Sequence, residues 1–172
     1  MEEFFENELI EKFEAMVENN DEFYFETGEY EEIIIYYLEM GDISFADMAT
    51  KYGLKIHPNS LDLKIKQFEV LLELEKYAEA KELMTELKES CMDHTDFLVC
   101  CAKYYSNLGN PRRSIEFCET ALKLEEEENF LHNFIADEYV NLEDPFKALK
   151  HYKLALNFDP HDEYSLENVM FC

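Results

Sequence analysis

Apolar residues return at spacings of three, four and seven along most of the chain, the pattern of helices that bury one face. β-Branched runs are scarce, and only four glycines and four prolines interrupt the pattern, so an all-α fold is predicted. The small residues Ala46, Ala80, Ser114 and Ala148 stand 34 residues apart, as 80−46, 114−80 and 148−114. A period of about that length marks helix-turn-helix repeats that stack into a solenoid. With the small residue set as position 20, four repeats run 27–60, 61–94, 95–128 and 129–162.

Other columns keep the same beat. Position 8 holds Ile34, Phe68, Ala102 and Ala136, and position 11 holds Tyr37, Leu71, Tyr105 and Tyr139. Positions 24 and 27 hold Thr50, Met84, Cys118 and Tyr152, then Gly53, Leu87, Ala121 and Ala155. Each repeat breaks at positions 15 and 16, as Gly41-Asp42, Glu75-Lys76, Gly109-Asn110 and Glu143-Asp144. Glycine suits the left-handed residue past a helix end, and Asp or Asn suits the cap of the next helix. Pro111 and Pro145 fall early in the second helix, where a missing N–H does no harm, while Pro58 and Pro160 close the first and fourth repeats.

Before the first repeat, residues 4–18 carry Phe4, Phe5, Leu9, Phe13, Met16 and Val17 at helical spacing and predict an N-terminal capping helix. Residues 19–25 link it to the first repeat, with Phe23, Tyr24 and Phe25 expected to pack into the join. From Glu163 a fifth repeat begins, placing Val169 and Met170 at core positions 7 and 8 before Phe171 and Cys172. The expectation is a piece of a longer repeat protein; the alternative is a short C-terminal helix that packs in a dimer.

Tyr139, Ala148, Tyr152, Ala155 and Pro160 of the fourth repeat, with four repeats in register, carry a resemblance. The chain resembles a tetratricopeptide repeat protein, of bacterial type, over residues 27–162. Position 4, aromatic in the family, is kept as Tyr30 and mostly lost in the later repeats, which read Lys64, Leu98 and His132. The resemblance implies a right-handed α-α superhelix of antiparallel helix pairs. The expected organisation is a cap and linker over 1–26, four repeats over 27–162, and a truncated fifth over 163–172.

Charge narrows the partner. The net charge is −25, and residues 1–42 hold fifteen acids against one base, Lys12, for −14. Such a field repels phosphate backbones and anionic membranes, so neither nucleic acid nor membrane is an expected partner. The acidic start is unlike a signal peptide, and no apolar run reaches the ~18 residues of a membrane span. The five cysteines are irregularly spaced and read as reduced core thiols of a cytoplasmic protein.

No reactive constellation stands out. His57, His94 and His161 fall in different joins, His132 takes packing position 4, and His151 lies on an outer helix, so no metal is expected. Cys91, His94, Cys100 and Cys101 are close in sequence, but Cys100 and Cys101 point to different faces of one helix. Glu125 to Glu128 read as a solvated charge run, and no phosphate loop or nucleophile elbow is present. The chain is expected to bind no cofactor and to catalyse no reaction.

What remains is a surface. In the family, positions 2, 5, 9, 12 and 13 of each first helix line the concave groove. Carried over, the candidate contacts are Glu31, Ile35, Leu38 and Glu39, then Asp62, Ile65, Glu69, Leu72 and Glu73, then Lys103, Asn107, Asn133, Asp137 and Asn141. The acids would supply charge and the asparagines would bond to a partner's backbone. The basic clamp that grips chaperone C-terminal tails is missing, since position 5 reads Glu31, Ile65, Val99 and Asn133. The expected function is therefore a protein-interaction scaffold whose acidic groove takes a basic or amphipathic protein segment. Alternatives are a self-associating repeat module, possible as a homodimer, or the docking arm of a longer protein.

Overall fold

A computed structural model describes residues 2–19, 23–124 and 129–171, with side chains described from Glu8 onward. The charge run Glu125 to Glu128, part of the 19–25 linker, and Cys172 lie outside the described residues, as do the side chains of Phe4 and Phe5. Ten helices are described: α1 (Glu2–Asn19), α2 (Thr27–Glu39), α3 (Ile43–Ile56), α4 (Leu61–Glu73), α5 (Tyr77–Cys91), α6 (Thr95–Asn107), α7 (Pro111–Ala121), α8 (Asn129–Asn141), α9 (Pro145–Phe158) and α10 (Glu163–Phe171). Among the described residues there is no strand. α2, α4, α6 and α8 each have 13 residues and begin 34 residues apart, and α3, α5, α7 and α9 keep the same interval.

One local device makes each turn between paired helices. Gly41, Glu75, Gly109 and Glu143 adopt φ of 73, 57, 68 and 58°. The next N–H, that of Asp42, Lys76, Asn110 or Asp144, donates to the carbonyl of Tyr37, Leu71, Tyr105 or Tyr139, each at 2.9 Å. This is the six-to-one bond that closes a helix over a left-handed residue. Three of those residues also begin the next helix: the side chains of Asp42, Asn110 and Asp144 accept from the N–H of Phe45, Arg113 and Lys147 at 3.2, 3.3 and 3.1 Å. Lys76 has no acceptor to offer, and α5 starts without such a cap.

The chain divides into two compact units, Met1–Leu87 and Lys88–Cys172, with the division inside α5. In the N-terminal unit, α1 packs on α2, α2 on α3 and α4, and α3 on α4. Its core gathers Ile10, Phe13 and Met16 of α1 with Phe25, Tyr30, Ile33, Ile34 and Tyr37, then Ala46, Ala49, Leu63 and Val70. Gly53 lets α3 come close, because a Cβ there would stand 3.0 Å from Tyr30 Cγ and 3.1 Å from Leu63 Cδ1. In the linker Phe25 is fully buried, whereas Phe23 and Tyr24 are exposed and do not fill the join. His57 Nε2–H donates to the Phe25 carbonyl at 2.9 Å and anchors this segment.

In the C-terminal unit, consecutive helices from α6 to α10 pack in order. One apolar cluster holds Leu98, Ala102, Ile115, Cys118, Ala121, Leu131 and Ile135. A second holds Ala136, Ala148 and Tyr152, with Tyr139 and Val169 against it. The small column is completely buried in both units: Ala46, Ala80, Ser114 and Ala148 are each 0% exposed. Met170, expected in the core beside Val169, is 78% exposed. Ser165 and Val169, four apart, take the inward stripe of α10 and turn Met170 outward.

Candidate partner-binding surface

In the N-terminal unit the candidate contacts divide sharply. Ile35, Glu39, Asp62 and Glu73 are exposed or half-exposed, Glu31 is half-buried, and Leu38 is half-buried against the core. Glu69 is half-buried and ion-paired with Lys66 at 3.3 Å. Ile65 and Leu72 are 3% exposed each and belong to the packing. α4 buries Leu63, Ile65, Phe68, Val70, Leu71 and Leu72, which cover most of its circumference.

In the C-terminal unit the polar candidates are largely engaged. Asn133 Nδ2 donates to Asp162 Oδ2 at 2.6 Å, and Ser165 Oγ reaches Asn133 Oδ1 and Asp162 Oδ2, both at 2.6 Å. These bonds, with two backbone donors, hold the Asp162 carboxyl below its ordinary range, Ser165 contributing most. Asp137 Oδ1 accepts from Tyr152 Oη at 2.6 Å and Tyr164 Oη at 2.8 Å. Asn141 is exposed and donates to Glu138 Oε2 at 3.4 Å, Asn107 is exposed, and Lys103 is half-buried. The segment that carries α10 therefore takes up Asn133 and Asp137.

Two features were not anticipated. Glu138 is 2% exposed and accepts from Ser114 Oγ at 3.3 Å. Its column, position 10, reads Tyr36, Val70, Tyr104 and Glu138, so a carboxylate in an otherwise apolar column was the available signal. The serine in the small column supplies its donor. His132 Nδ1 and His151 Nδ1 lie 3.2 Å apart, so one ring donates to the other. His132 stacks on Phe158, and His151 lies against Tyr139. Burial pushes His151 down to about 4, with the neighbouring His132 adding to it, and burial also lowers His132. Nineteen residues separate the two, and nothing in the sequence signals their meeting.

Two open cavities are lined by such groups. One, of about 250 Å³, lies between α1 and α2 and is lined by Leu9, Ile10, Glu32, Ile35, Tyr36 and Glu39. The other, of about 420 Å³, is lined by Arg112, Ile115, Glu119, Tyr139, Leu142, Asp144 and Lys147. There Lys147 pairs with Asp144 at 3.2 Å and sits 5.0 Å from the Tyr139 ring centre, so its charge is already met. Cys91, Cys100, Cys101 and Cys118 are buried free thiols, and burial pushes Cys101 and Cys118 up to about 12, away from nucleophilic thiolate. Among the described residues no three His, Cys, Asp or Glu side chains gather as metal ligands, and no helix is long and apolar enough to cross a membrane.

The turns, the 34-residue interval of the helix pairs and the buried small column describe a repeat architecture. The tetratricopeptide repeat family matches residues 102–128, from the middle of α6 through α7 and beyond. Over that segment the chain carries a tetratricopeptide repeat, and its fold is that of tetratricopeptide solenoids. Solved tetratricopeptide structures share its fold. TTC0263, a thermophilic tetratricopeptide protein of Thermus thermophilus, superposes with a TM-score of 0.77 at 17% identity, covering 94% of this chain and 86% of that one. MamA gives 0.65 at 16% identity, covering 84% and 79%. YrrB, described as having an unusual peptide-binding site, gives 0.64 at 16% identity, covering 82% and 73%. No curated protein matches the chain. Tetratricopeptide folds generally mediate protein–protein interaction and are generally non-catalytic.

Proposed function

We propose that this tetratricopeptide protein is a non-catalytic, cytoplasmic scaffold that binds a basic or amphipathic segment of a partner protein on the acidic face of α2 and α4. One observation carries the reading: Glu39, Asp62 and Glu73 reach solvent on helices packed side by side, with exposed Ile35 among them. Parallel helices in the same register present equivalent positions to one side, so these carboxylates form one field with an apolar element inside it. Electrostatic complementarity steers a cationic segment to such a field and repels nucleic acid, anionic membrane and a terminal carboxylate alike. Asn133 and Asp137 have no share in the grip, since their hydrogen bonds are committed within the C-terminal unit. The test is Asp62→Lys with Glu73→Lys, two solvent-reaching positions whose reversal leaves the core intact. A partner captured by the wild type should lose at least tenfold in affinity, and binding to both proteins alike would refute the reading.

A second reading is self-association. Leu166, Met170 and Phe171 of α10 are 45, 78 and 85% exposed and offer an apolar face to a second copy. Repulsion between two chains of charge −25 opposes it. Light scattering across concentrations separates the two readings.

A further inference from the structure

The cavity between α1 and α2 has an apolar floor and two acidic posts. Leu9 and Ile10 come from α1, Ile35 and Tyr36 from α2, and Glu32 and Glu39 stand one at each end of the α2 side. Along α2 these four occupy i, i+3, i+4 and i+7, so the carboxylates stand on one stripe about 10 Å apart, with Ile35 and Tyr36 between them. Ile35 is 39% exposed, whereas its neighbours Ile33 and Ile34 are 0%. Neither Glu32 nor Glu39 has an ion-pair partner among the described residues. Lys12, the one base in residues 1–42, lies 4.8 Å from the Phe25 ring centre and 5.9 Å from that of Phe23. The nearest cation in sequence is thus turned to aromatic faces.

We infer that this cavity is the anchor point for an amphipathic basic helix of the partner, taking one apolar side chain between two basic residues that pair with Glu32 and Glu39. The inference rests on the acidic face proposed above and extends it onto α1. Charge complementarity selects the occupant: an apolar side chain removes the exposed part of Ile35 from water, and only a cation relieves the two carboxylates that frame it. The spacing selects its form. A partner helix that matches posts two turns apart carries basic residues at i and i+7 and its apolar anchor at i+3 or i+4. Arginine suits the posts better than lysine, because its planar guanidinium pairs with carboxylate in a fork and loses less hydration.

The probe is a synthetic helical peptide of about four turns with the pattern Arg-x-x-Leu-x-x-x-Arg on glutamine and alanine spacers. It is compared with one twin carrying citrulline for both arginines and another carrying alanine for the leucine. Titrated by fluorescence anisotropy into the whole chain, each twin should bind about tenfold more weakly than the parent, two rim ion pairs or one buried leucine accounting for the difference. Glu32→Lys with Ile35→Ser should weaken the parent peptide at least tenfold while leaving the circular dichroism unchanged. If that variant binds the peptide as well as the wild type does, and Asp62→Lys with Glu73→Lys abolishes binding, the anchor is wrong and the acidic face stands. If the wild type binds none of the three peptides at moderate ionic strength, both are wrong. If the wild type sediments as a dimer that Ile35→Ser dissociates, the occupant is a second copy and the anchor proposal fails.

Discussion

Tyr30 and Tyr152 are the two largest fully buried side chains, one in each compact unit, and their hydroxyls fare differently. Tyr152 donates to Asp137 at 2.6 Å, and the same carboxylate takes Tyr164 of α10. Tyr30 lies among Phe25, His57 and Gly53, and its hydroxyl finds no partner among the described residues. Burial, with Tyr52 and Glu29 adding to it, pushes Tyr30 up to about 12. The N-terminal unit closes on aromatic edges, with Phe13 touching Phe25, Tyr37 and Tyr52. The C-terminal unit closes on a polar lattice of Asn133, Asp137, Asp162 and Ser165. One repeat plan is thus finished in two ways. The N-terminal unit keeps Glu39, Asp62 and Glu73 exposed, and the polar finish of the C-terminal unit engages Asn133 and Asp137 internally.

The comparison breaks most directly at Asp137. Asp137→Ala removes the acceptor of two tyrosine hydroxyls, one of them on a fully buried side chain. A stability loss of about 3 kcal/mol is expected in urea unfolding, because hydrogen bonds to a charged group are worth about 1.5–3 kcal/mol each. Ile35→Ala, at the same repeat position in α2, should change stability by less than about 0.5 kcal/mol, as for other surface positions. Equal losses at the two sites would mean that the helices are not finished differently.

The two buried tyrosines offer a sharper contrast with a smaller effect. Tyr152→Phe deletes a donor to a carboxylate and should destabilise by about 1.5 kcal/mol. Tyr30→Phe deletes a buried hydroxyl that has no partner among the described residues, so it should be neutral or stabilise by up to about 1 kcal/mol. Thermal melts of both variants decide it: a clear loss for Tyr30→Phe would reveal a partner to that hydroxyl and remove half of the contrast.

These sites also mark where the sequence could and could not be read. The all-α repeat fold was legible because turn chemistry and small-residue spacing are local. Glycine followed by Asp or Asn announces two of the four helix pairs and Asp144 caps the second helix of another, and Ala46, Ala80, Ser114 and Ala148 must be small wherever paired helices touch. The surface was legible only in part, because exposure depends on what lies alongside a helix. Position counting treats Ile65 and Leu72 like Ile35, yet α4 buries the first two and α2 leaves the third open. The same counting offers Asn133 and Asp137 to a partner, while Asp162 and Tyr164, nearly thirty residues later, claim them. Glu138 had a signal in its column. The contact between His132 and His151 had none, because it depends on how α8 and α9 are rotated against each other.

That histidine pair belongs to the C-terminal unit alone and gives it a pH dependence of its own. Both rings are held below their ordinary value of 6.5, His151 to about 4, so the folded chain binds fewer protons than the unfolded chain in that window. Their stabilisation is fully present above about pH 6.5 and is lost as pH falls toward 4. The pair is half-buried and partly screened, so the loss is on the order of 1 kcal/mol. Many carboxylates titrate near the bottom of the same range, so the readout is a difference. Between about pH 6.5 and 4.5 the wild type should lose more stability than His151→Gln, and parallel curves for the two proteins would show that the pair carries no proton linkage.

The smallest effect concerns what the two units share. Glu75 in one and Glu143 in the other hold φ of 57 and 58°, where Gly41 and Gly109 do the same work at 73 and 68°. A side chain in that region is strained by about 1 kcal/mol, and glycine relieves it at the expense of greater freedom in the unfolded chain. Glu75→Gly and Glu143→Gly should therefore each stabilise by about 0.5 kcal/mol. Gly41→Ala and Gly109→Ala should each destabilise by about 1 kcal/mol. A Cβ at either glycine meets nothing within 4 Å, so the change is purely conformational and packing cannot obscure it. Equal shifts in the two units are the expected result. Unequal shifts would place the difference between the units inside the repeat itself, in its turns, and not in how each unit is closed.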